Sequence, residues 1–595
     1  MFQLRWIWRN LEGNKIKYSI GILISVVSSL IVLINPKIMQ IITDNIIVGI
    51  KGTNGVVDRQ VGMLMPLLII MVSVTLGRAL MRYLMIILFE QTSQTLIVKV
   101  KKRLFENLQN QDMHFYDSYR TGDLMTRLTG DLDMVRHTVA FIVYQITDSV
   151  TLFLAVLVYF TTVSIYMTLL IFALTPFIFA VTYIFSKKIR PLYVDLRERL
   201  SLLNTTAQED ISGNRVVKAF NREEFEIEKF TKKNDEYRKA NLKASYMWLK
   251  FSPVIEMLAQ SLTVITVLAG GIFIIRGELT FGDLMAFSAL SWAISNPMRM
   301  LGIILNDLQR FFASSDKVIE LYYSHPTIID RFDATEFDGK AKGKISFEDV
   351  TFNYGHETIL ENINLEINPG ETVGIMGATG SGKTTLINLI ARFYDVKSGS
   401  VKLDDIDVRN IKLKSLRSNI GMATQEVFLF SDTVDSNIAF SSPDMPESKV
   451  QEYAKVADAH GFITRMKEGY DTIIGERGVG LSGGQKQRLA LARALAVRPS
   501  VLILDDTTSA VDMETEKYIQ QKLGELDFTC TKIIIAQRIS SVKNADKIII
   551  LGNKKIIEQG THDELIAKHG YYYNINLLQQ QGYNALEEGE LIGAQ

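Results

Sequence analysis

The sequence predicts a multidomain membrane protein: an all-α domain of six membrane-spanning helices, then an α/β domain built on a phosphate-binding loop. Three observations carry this. Long uncharged runs crowd the first half of the 595-residue chain. From about Lys344 onward, short β-type runs alternate with helical stretches. One of those runs, ending at Met376, leads directly into Gly377-Ala-Thr379-Gly380-Ser381-Gly382-Lys383-Thr384-Thr385.

Bulk composition hides the division. The apolar fraction is 47% and the charged fraction 22%, both close to the soluble average, which excludes disorder and collagen-like structure. Lys plus Arg and Asp plus Glu both total 65, so the net charge is zero. A sequence-independent nucleic-acid binder would carry a basic excess, and none is expected here. The charges are segregated, however. Ser149–Ser186 holds none, where about eight would be expected at the average density, and uncharged runs of that length belong in lipid.

The spans follow in order. Tyr18–Pro36 and Gln60–Gly77 are the first two uncharged runs. Ser149–Ser186 supplies two more, with a turn near Thr161–Tyr166. Met257–Ile275 is the fifth. Leu284–Met298 is short for a spanning helix and continues through Leu301–Leu305 past Arg299 as the sixth. The first run leads into Asn35-Pro36-Lys37 without a small-residue cleavage site, unlike a signal peptide. Basic residues flank particular ends: Arg5, Arg9, Lys15 and Lys17 before the first span, Lys99–Arg103 after the second, Lys187, Lys188 and Arg190 after the fourth. The positive-inside bias then places these flanks, and both ends of the six-span unit, in the cytoplasm.

Two charged stretches, between spans two and three and between spans four and five, show helical periodicity, as in Leu202, Ile211, Val216, Val217 and Phe220. They are expected to extend the membrane helices into the cytoplasm, since structureless loops that long are uncommon. Asp148, Glu256 and Arg299 lie within spans, with Arg78 and Arg82 toward the inner end of span two. Charges there are costly, so each is either a cavity-lining group, half of an interhelical pair or a residue at the membrane surface. The expected division is a membrane domain over 1–312, a linker over 313–343, the α/β domain over 344–583 and a tail over 584–595. The lone Cys530 excludes an internal disulfide and a cysteine zinc cluster, and reads as a small buried side chain.

The glycine-rich segment fits G-x-x-x-x-G-K-[ST] in the required strand–loop–helix setting, with Leu386-Ile-Asn-Leu-Ile390 as the helix. Glycines at 377, 380 and 382 let backbone amides of Thr379, Ser381 and their neighbours approach phosphate oxygens, and the helix start adds partial positive charge. Lys383 is placed to reach the β and γ phosphates, and Thr384 to ligate Mg²⁺. Val501-Leu-Ile-Leu-Asp505 is a buried strand ending in a carboxylate able to hold the same ion. Leu481-Ser482-Gly483-Gly484-Gln485 opens an amphipathic helix and offers a second anion site, although an ordinary N-cap explains Ser482 equally well taken alone.

On these residues the chain resembles the ATP-binding-cassette (ABC) exporters of half-transporter type, over essentially its whole length. The carriers are the phosphate loop Gly377–Thr385, the LSGGQ signature Leu481–Gln485 and the Walker B strand Val501–Asp505. The resemblance implies ATP with Mg²⁺ as the bound nucleotide. It also implies roles for residues that would otherwise read as solvated polar groups. Phe352-Asn-Tyr354 looks like the A-loop, whose ring stacks on adenine. Gln425 looks like the Q-loop glutamine, a Mg²⁺ contact, so that Thr384, Gln425 and Asp505 form the implied metal set. Gly475–Gly478 resembles the X-loop and Ser509-Ala-Val-Asp512 the D-loop. Thr121–Leu124 and Gly213–Phe220 look like the segments bearing the two coupling helices.

Two positions depart from the family. Where it usually has Glu after the Walker B aspartate, this chain has Asp506, one methylene shorter, which withdraws the carboxylate by about 1.5 Å. Misplacement near 1 Å costs on the order of 10²-fold in rate. Where the family has its switch histidine, Ile535-Ala-Gln537-Arg538 places a glutamine, which donates a hydrogen bond but cannot become a cation. Both lie at the γ-phosphate end of one site, while Ser482–Gln485 is intact. The resemblance therefore points to the degenerate-site subunit of a heterodimeric bacterial exporter: it holds a weak site and lends a good signature to a second half-transporter. A slow homodimer and a lipid flippase are the competing readings, and lipophilic compounds in the bilayer the expected substrates. With 17 residues before the first span, no peptidase domain is expected ahead of it, and no long regulatory insert separates Phe312 from Lys344.

Overall fold

The computed structural model describes residues 2–51, 57–507 and 510–580, without the side chains of residues 50, 51, 57, 58, 259, 298, 299 and 301. The chain divides into two compact units: the residues to Asn110 with Tyr119–His325, and Gln111–Ser118 with the residues from Pro326 onward.

The first unit is helical. Its principal helices are α1 (Lys15–Ile31), α2 (Ile34–Ile42) and α3 (Leu64–Gln109). The short α4 (Met113–Ser118) belongs to the second unit. The first unit continues with α5 (Val143–Val163), α6 (Ile165–Ser212), α7 (Asn214–Ala219), α8 (Glu223–Ile275) and α9 (Phe281–Tyr322). Among the described residues, five stretches are long and apolar enough to cross a membrane: Lys15–Val48, Val61–Gln109, Thr121–Val163, Ile165–Ser212 and Glu223–Ile275. The sixth expected span falls in α9, a continuous helix of 42 residues. Its uncharged runs, 284–298 and 300–306, are each shorter than the roughly 20 residues a bilayer needs, so composition alone does not mark it.

The expected helical extensions are present. α3, α6 and α8 have 46, 48 and 53 residues, about 70 to 80 Å at 1.5 Å per residue, against a hydrocarbon core of roughly 30 Å. The expected turn at 161–166 is also present. Ser164 leaves the helical region and its hydroxyl caps α6 by accepting from the Met167 amide, so one uncharged run becomes two helices. The bundle core is apolar and aromatic: Phe160 and Phe287 meet with centroids 4.3 Å apart, in one buried cluster with Val156, Met167, Ile171 and Leu262. Gly21 of α1 faces the Phe89 ring of α3, where a Cβ would stand at an ordinary contact distance of 3.4 Å.

The intramembrane charges resolve in part. Asp148 accepts a short hydrogen bond from Ser29, joining α5 to α1. Glu256 is exposed and accepts from Gln260 at 3.5 Å, one helical turn away. Arg78 is half-buried and Arg82 exposed along α3. The Arg299 side chain lies outside the described residues.

In the second unit, a six-stranded sheet and a four-stranded sheet share one core. The strands are β1 (Ile345–Tyr354), β2 (Glu357–Ile367), β3 (Thr372–Gly377), β4 (Ser398–Leu403), β5 (Ile406–Asp407), β6 (Ile420–Ala423), β7 (Val501–Asp505), β8 (Thr531–Ile535), β9 (Lys547–Gly552) and β10 (Lys555–Gly560). The larger sheet runs β10-β9-β3-β8-β7-β6, parallel except for β10. The smaller, β2-β1-β4-β5, is antiparallel. A strand flanked by parallel neighbours is covered on both faces, which is why all five residues of β7 are buried and four of them are aliphatic. Three helices matter for the site: α10 (Lys383–Ile390), α11 (Gly483–Ala496) and α12 (Met513–Gly524). Cys530 is buried in a cluster with Leu502, Ile519 and Leu523, as expected of a structural cysteine.

Candidate nucleotide site

In open parallel sheets, ligands bind beyond the carboxyl ends of the strands. Register shows what collects there. Ile535 pairs with Ile375 and with Asp505, and Leu504 pairs with Ala423, so β3, β8, β7 and β6 end level. Continuing each chain by one to several residues gives Gly377–Thr385 from β3, Gln537 from β8, Asp506 from β7 and Gln425 from β6. Four motifs far apart in sequence thus leave one edge of one sheet.

The phosphate loop is shaped by its glycines. Gly377 has φ +150° and a Cβ there would lie 2.3 Å from the Leu551 carbonyl, so no other residue fits. Gly382 has φ +96°, and its Cβ would meet Leu360 of β2 at 2.8 Å; the same glycine stands at the N-cap of α10. Lys383 folds back on the loop, its Nζ donating to the carbonyls of Gly377 at 2.9 Å and Ala378 at 2.8 Å. Burial holds its ammonium below the ordinary lysine range. The Ser381 Oγ is buried without a hydrogen-bond partner, a polar atom that a phosphate oxygen would satisfy. Thr385 is buried and packs the base of the helix.

Thr384 Oγ1 donates to Asp505 Oδ2 at 3.0 Å. Asp505 is 3% exposed, and burial pushes its carboxyl above the ordinary aspartate range, with the Thr384 hydrogen bond acting against that rise. Among the described residues, no three or more His, Cys, Asp and Glu side chains gather as a metal cluster. A hydroxyl and a carboxylate 3 Å apart suit one hard cation that takes its remaining ligands from phosphates and water. Gln425 is exposed in the turn after β6.

Asp506 takes a left-handed backbone with φ +51°, a region where Asp is several-fold enriched. Its amide donates to the Ile535 carbonyl at 3.0 Å, and its carbonyl accepts from Gln487 Nε2 at 3.2 Å. Gln537 is exposed, and its carbonyl accepts from Gln579 at 2.9 Å. Gln579 also accepts from the Ile539 amide, so both ends of this loop rest on the helical segment 571–580.

Ser482 is the N-cap of α11 in a full capping box. Its hydroxyl accepts from the Gln485 amide, and Gln485 accepts from the Ser482 amide at 2.9 Å. Gly484 lies against the Ala510 carbonyl, where a Cβ would approach to 2.8 Å, and Gly483 faces the Ala510 Cβ. Asp512 caps α12 by accepting from the Thr515 amide. Of the segment resembling the D-loop, Ser509 lies outside the described residues. Tyr354 is 37% exposed at the end of β1, its ring edge-on to Phe352 at 4.8 Å and to Tyr394 at 5.1 Å.

Two participants escape the sequence patterns. Gln487, buried on α11, accepts from the Ala510 amide and donates to the Asp506 carbonyl, pinning the loop after β7 to the signature helix. No spacing distinguishes it from the other polar residues of Gln485–Arg488. Tyr394 follows α10 within Phe393-Tyr394, which reads as ordinary core aromatic.

A parallel sheet ending in a phosphate loop, joined to long membrane helices, defines a membrane-bound nucleotide-dependent transporter. Residues 18–298 match the ABC transporter transmembrane region and residues 360–509 match the ABC transporter domain. The chain belongs to the ABC transporter family, with the membrane region and the ATPase domain on one polypeptide, and is homologous to bacterial exporters. It is 38% identical to the ABC transporter ATP-binding protein YknU of Bacillus subtilis (strain 168), over 84% of this chain and 85% of that one. It is 35% identical to the ATP-dependent lipid A-core flippase of Syntrophus aciditrophicus (strain SB), over 90% and 88%. YgaD of Bacillus subtilis, which carries a multidrug-export designation, is 33% identical over 94% and 96%. In fold, the chain resembles a bacterial Atm1-family ABC exporter solved with ATP bound, with a TM-score of 0.79 over 95% of this chain and 98% of that one, at 24% identity.

Proposed function

We propose that this chain is one half of a heterodimeric exporter that drives amphipathic, lipophilic compounds across a bacterial cell membrane. In this reading it binds ATP at a weak site of its own and lends its signature to the partner half-transporter's site. Both termini face the cytoplasm, in keeping with the basic flanks of the spans. The working division is 1–312 for the membrane domain, 313–343 for the linker, 344–583 for the ATP-binding domain and 584–595 for the tail.

The observation that carries the reading is an intact phosphate corner beside two substituted positions. Lys383, Thr384 and Asp505 converge, while the positions that would act on the attacking water carry Asp506 and Gln537. Lys383 exchanges its two carbonyl partners for phosphate oxygens, and the loop amides around Thr379 and Ser381 orient the phosphate chain. Thr384, Gln425 and Asp505 would hold Mg²⁺, which neutralises phosphate charge when bound. Asp506 then has to orient water from a carboxylate one methylene back, and Gln537 supplies a neutral donor in place of a cationic one. Slow hydrolysis follows at this site. The signature residues Ser482–Gln485 are preorganised by their capping box for a second site across a dimer. Multidrug substrates agree with YgaD's designation; a lipid substrate, the second reading, is favoured by the flippase relatives.

Co-purification tests the assembly. A tagged chain should emerge with a second half-transporter bearing Glu and His at the positions matching Asp506 and Gln537. A tagged chain that emerges alone, dimeric and active in transport would refute the heterodimer.

A further inference from the structure

The segment Gln111–Ser118 lies between the membrane-unit stretches but packs within the second unit. Two acidic residues hold it. Asp112 accepts from the Thr327 amide at 2.6 Å, from the Thr327 hydroxyl and from the Ile328 amide at 3.3 Å, fixing α4 to the irregular segment after Pro326. Asp117, at the other end of α4, accepts from the Tyr394 hydroxyl at 2.8 Å. Tyr394 stands where the chain leaves the phosphate-loop helix α10. Its ring meets Tyr354 edge-on, at 5.1 Å and 89°, and Phe352 at 5.6 Å.

The geometry points to Tyr394 as a positioning residue with two duties: it holds the Tyr354 ring for the nucleobase, and it ties that ring through Asp117 to α4. The inference rests on the reading of Tyr354 as the adenine platform. Tyr354 is a partly exposed ring on a strand end and needs a lateral wall to present one face steadily. The perpendicular contact with Tyr394 supplies it, because the edge of one ring against the face of another is a preferred and directional arrangement. A base stacking on Tyr354 loads that contact, and the Tyr394 hydroxyl carries the load to the end of α4 that Asp112 does not fix. Burial, with Asp117 as acceptor, raises the phenol above the ordinary tyrosine range, so it remains a donor at physiological pH.

The test uses the full-length chain in lipid nanodiscs, with ATP and inorganic tripolyphosphate as probes. It reads binding, and amide hydrogen exchange of 113–118 with and without ATP. Tyr394→Leu should weaken ATP about tenfold, since base–aromatic stacking is worth that order, and tripolyphosphate less than about twofold. Tyr394→Phe should restore most of the ATP affinity. Tyr394→Phe and Asp117→Ala should both lose the ATP-induced protection of 113–118, while Asp112 keeps the segment docked. Equal weakening of both probes by Tyr394→Leu, or ATP-induced protection surviving in Asp117→Ala, would overturn the inference. Tyr354→Ala separates the two levels. If it leaves ATP affinity unchanged, the platform reading fails and the inference with it; if it weakens ATP while Tyr394→Leu does not, only the inference fails.

Discussion

Thr384 and Asp505 meet at 3.0 Å although the strands that deliver them are not neighbours: β8 runs between β3 and β7. The hydroxyl arrives one residue into α10 and the carboxylate at the last position of β7, so the contact exists only when the whole sheet edge is assembled. Thr384→Val should leave ATP binding without divalent cation nearly unchanged and abolish the gain that Mg²⁺ confers, about tenfold in affinity or 1.4 kcal/mol. Titrations with ATP alone and with ATP plus Mg²⁺ measure it. An undiminished Mg²⁺ effect would remove Thr384 from the metal set.

Asp505 gives the site a stability cost with a definite pH signature. Its carboxyl is raised by burial in the folded state, so the folded chain binds that proton more tightly than the unfolded chain. Stability from this group is therefore greatest below the ordinary aspartate pKa and falls as pH rises through the raised value. Asp505→Asn should raise the melting temperature of the nucleotide-free protein at pH 7, and the gain should shrink toward pH 4. Thermal unfolding at several pH values checks it; a gain that grows on acidification would contradict it.

Ser482 has a structural duty in addition to its proposed role in the partner's site. Ser482→Ala removes the hydroxyl half of the capping box and should destabilise the chain by about 1 kcal/mol. Ser482→Asp, also a good cap, should recover that stability but not transport, because it sets a carboxylate against phosphate. Denaturant unfolding and vesicle transport distinguish the two effects.

Cys530 offers a probe of the core. Burial pushes its thiol up to about 11, so little thiolate exists at neutral pH. Maleimide should label the native chain negligibly and the chain in denaturant rapidly; fast native labelling would refute the buried assignment.

What could be read in advance was what chemistry fixes locally. The phosphate loop demands glycines and a lysine in an exact order, and β7 demands apolar residues because both its faces are covered. Ser149–Ser186 announced two helices because lipid tolerates no charge, and Ser164 shows how the break is made. The sixth span was harder, since α9 interrupts its apolar surface with Asp283, Asn296 and Asp307. Non-local arrangements were not legible. Gln487 reaches Asp506 and Ala510 from another element, and nothing near Asp117 announces Tyr394, which lies 277 residues away. The left-handed backbone at Asp506 was equally invisible, since both of its backbone hydrogen-bond partners, the Ile535 carbonyl and Gln487, come from other elements.

The central claim is that this chain's own site binds ATP and hydrolyses it poorly, and steady-state ATPase of the purified complex carrying Asp506→Asn tests it most directly, with Lys383→Ala as the control for lost binding. The account predicts that Asp506→Asn changes total turnover by less than about twofold, since an acid withdrawn by about 1.5 Å has already lost at least on the order of 10²-fold. A near-complete loss of turnover in Asp506→Asn would contradict it.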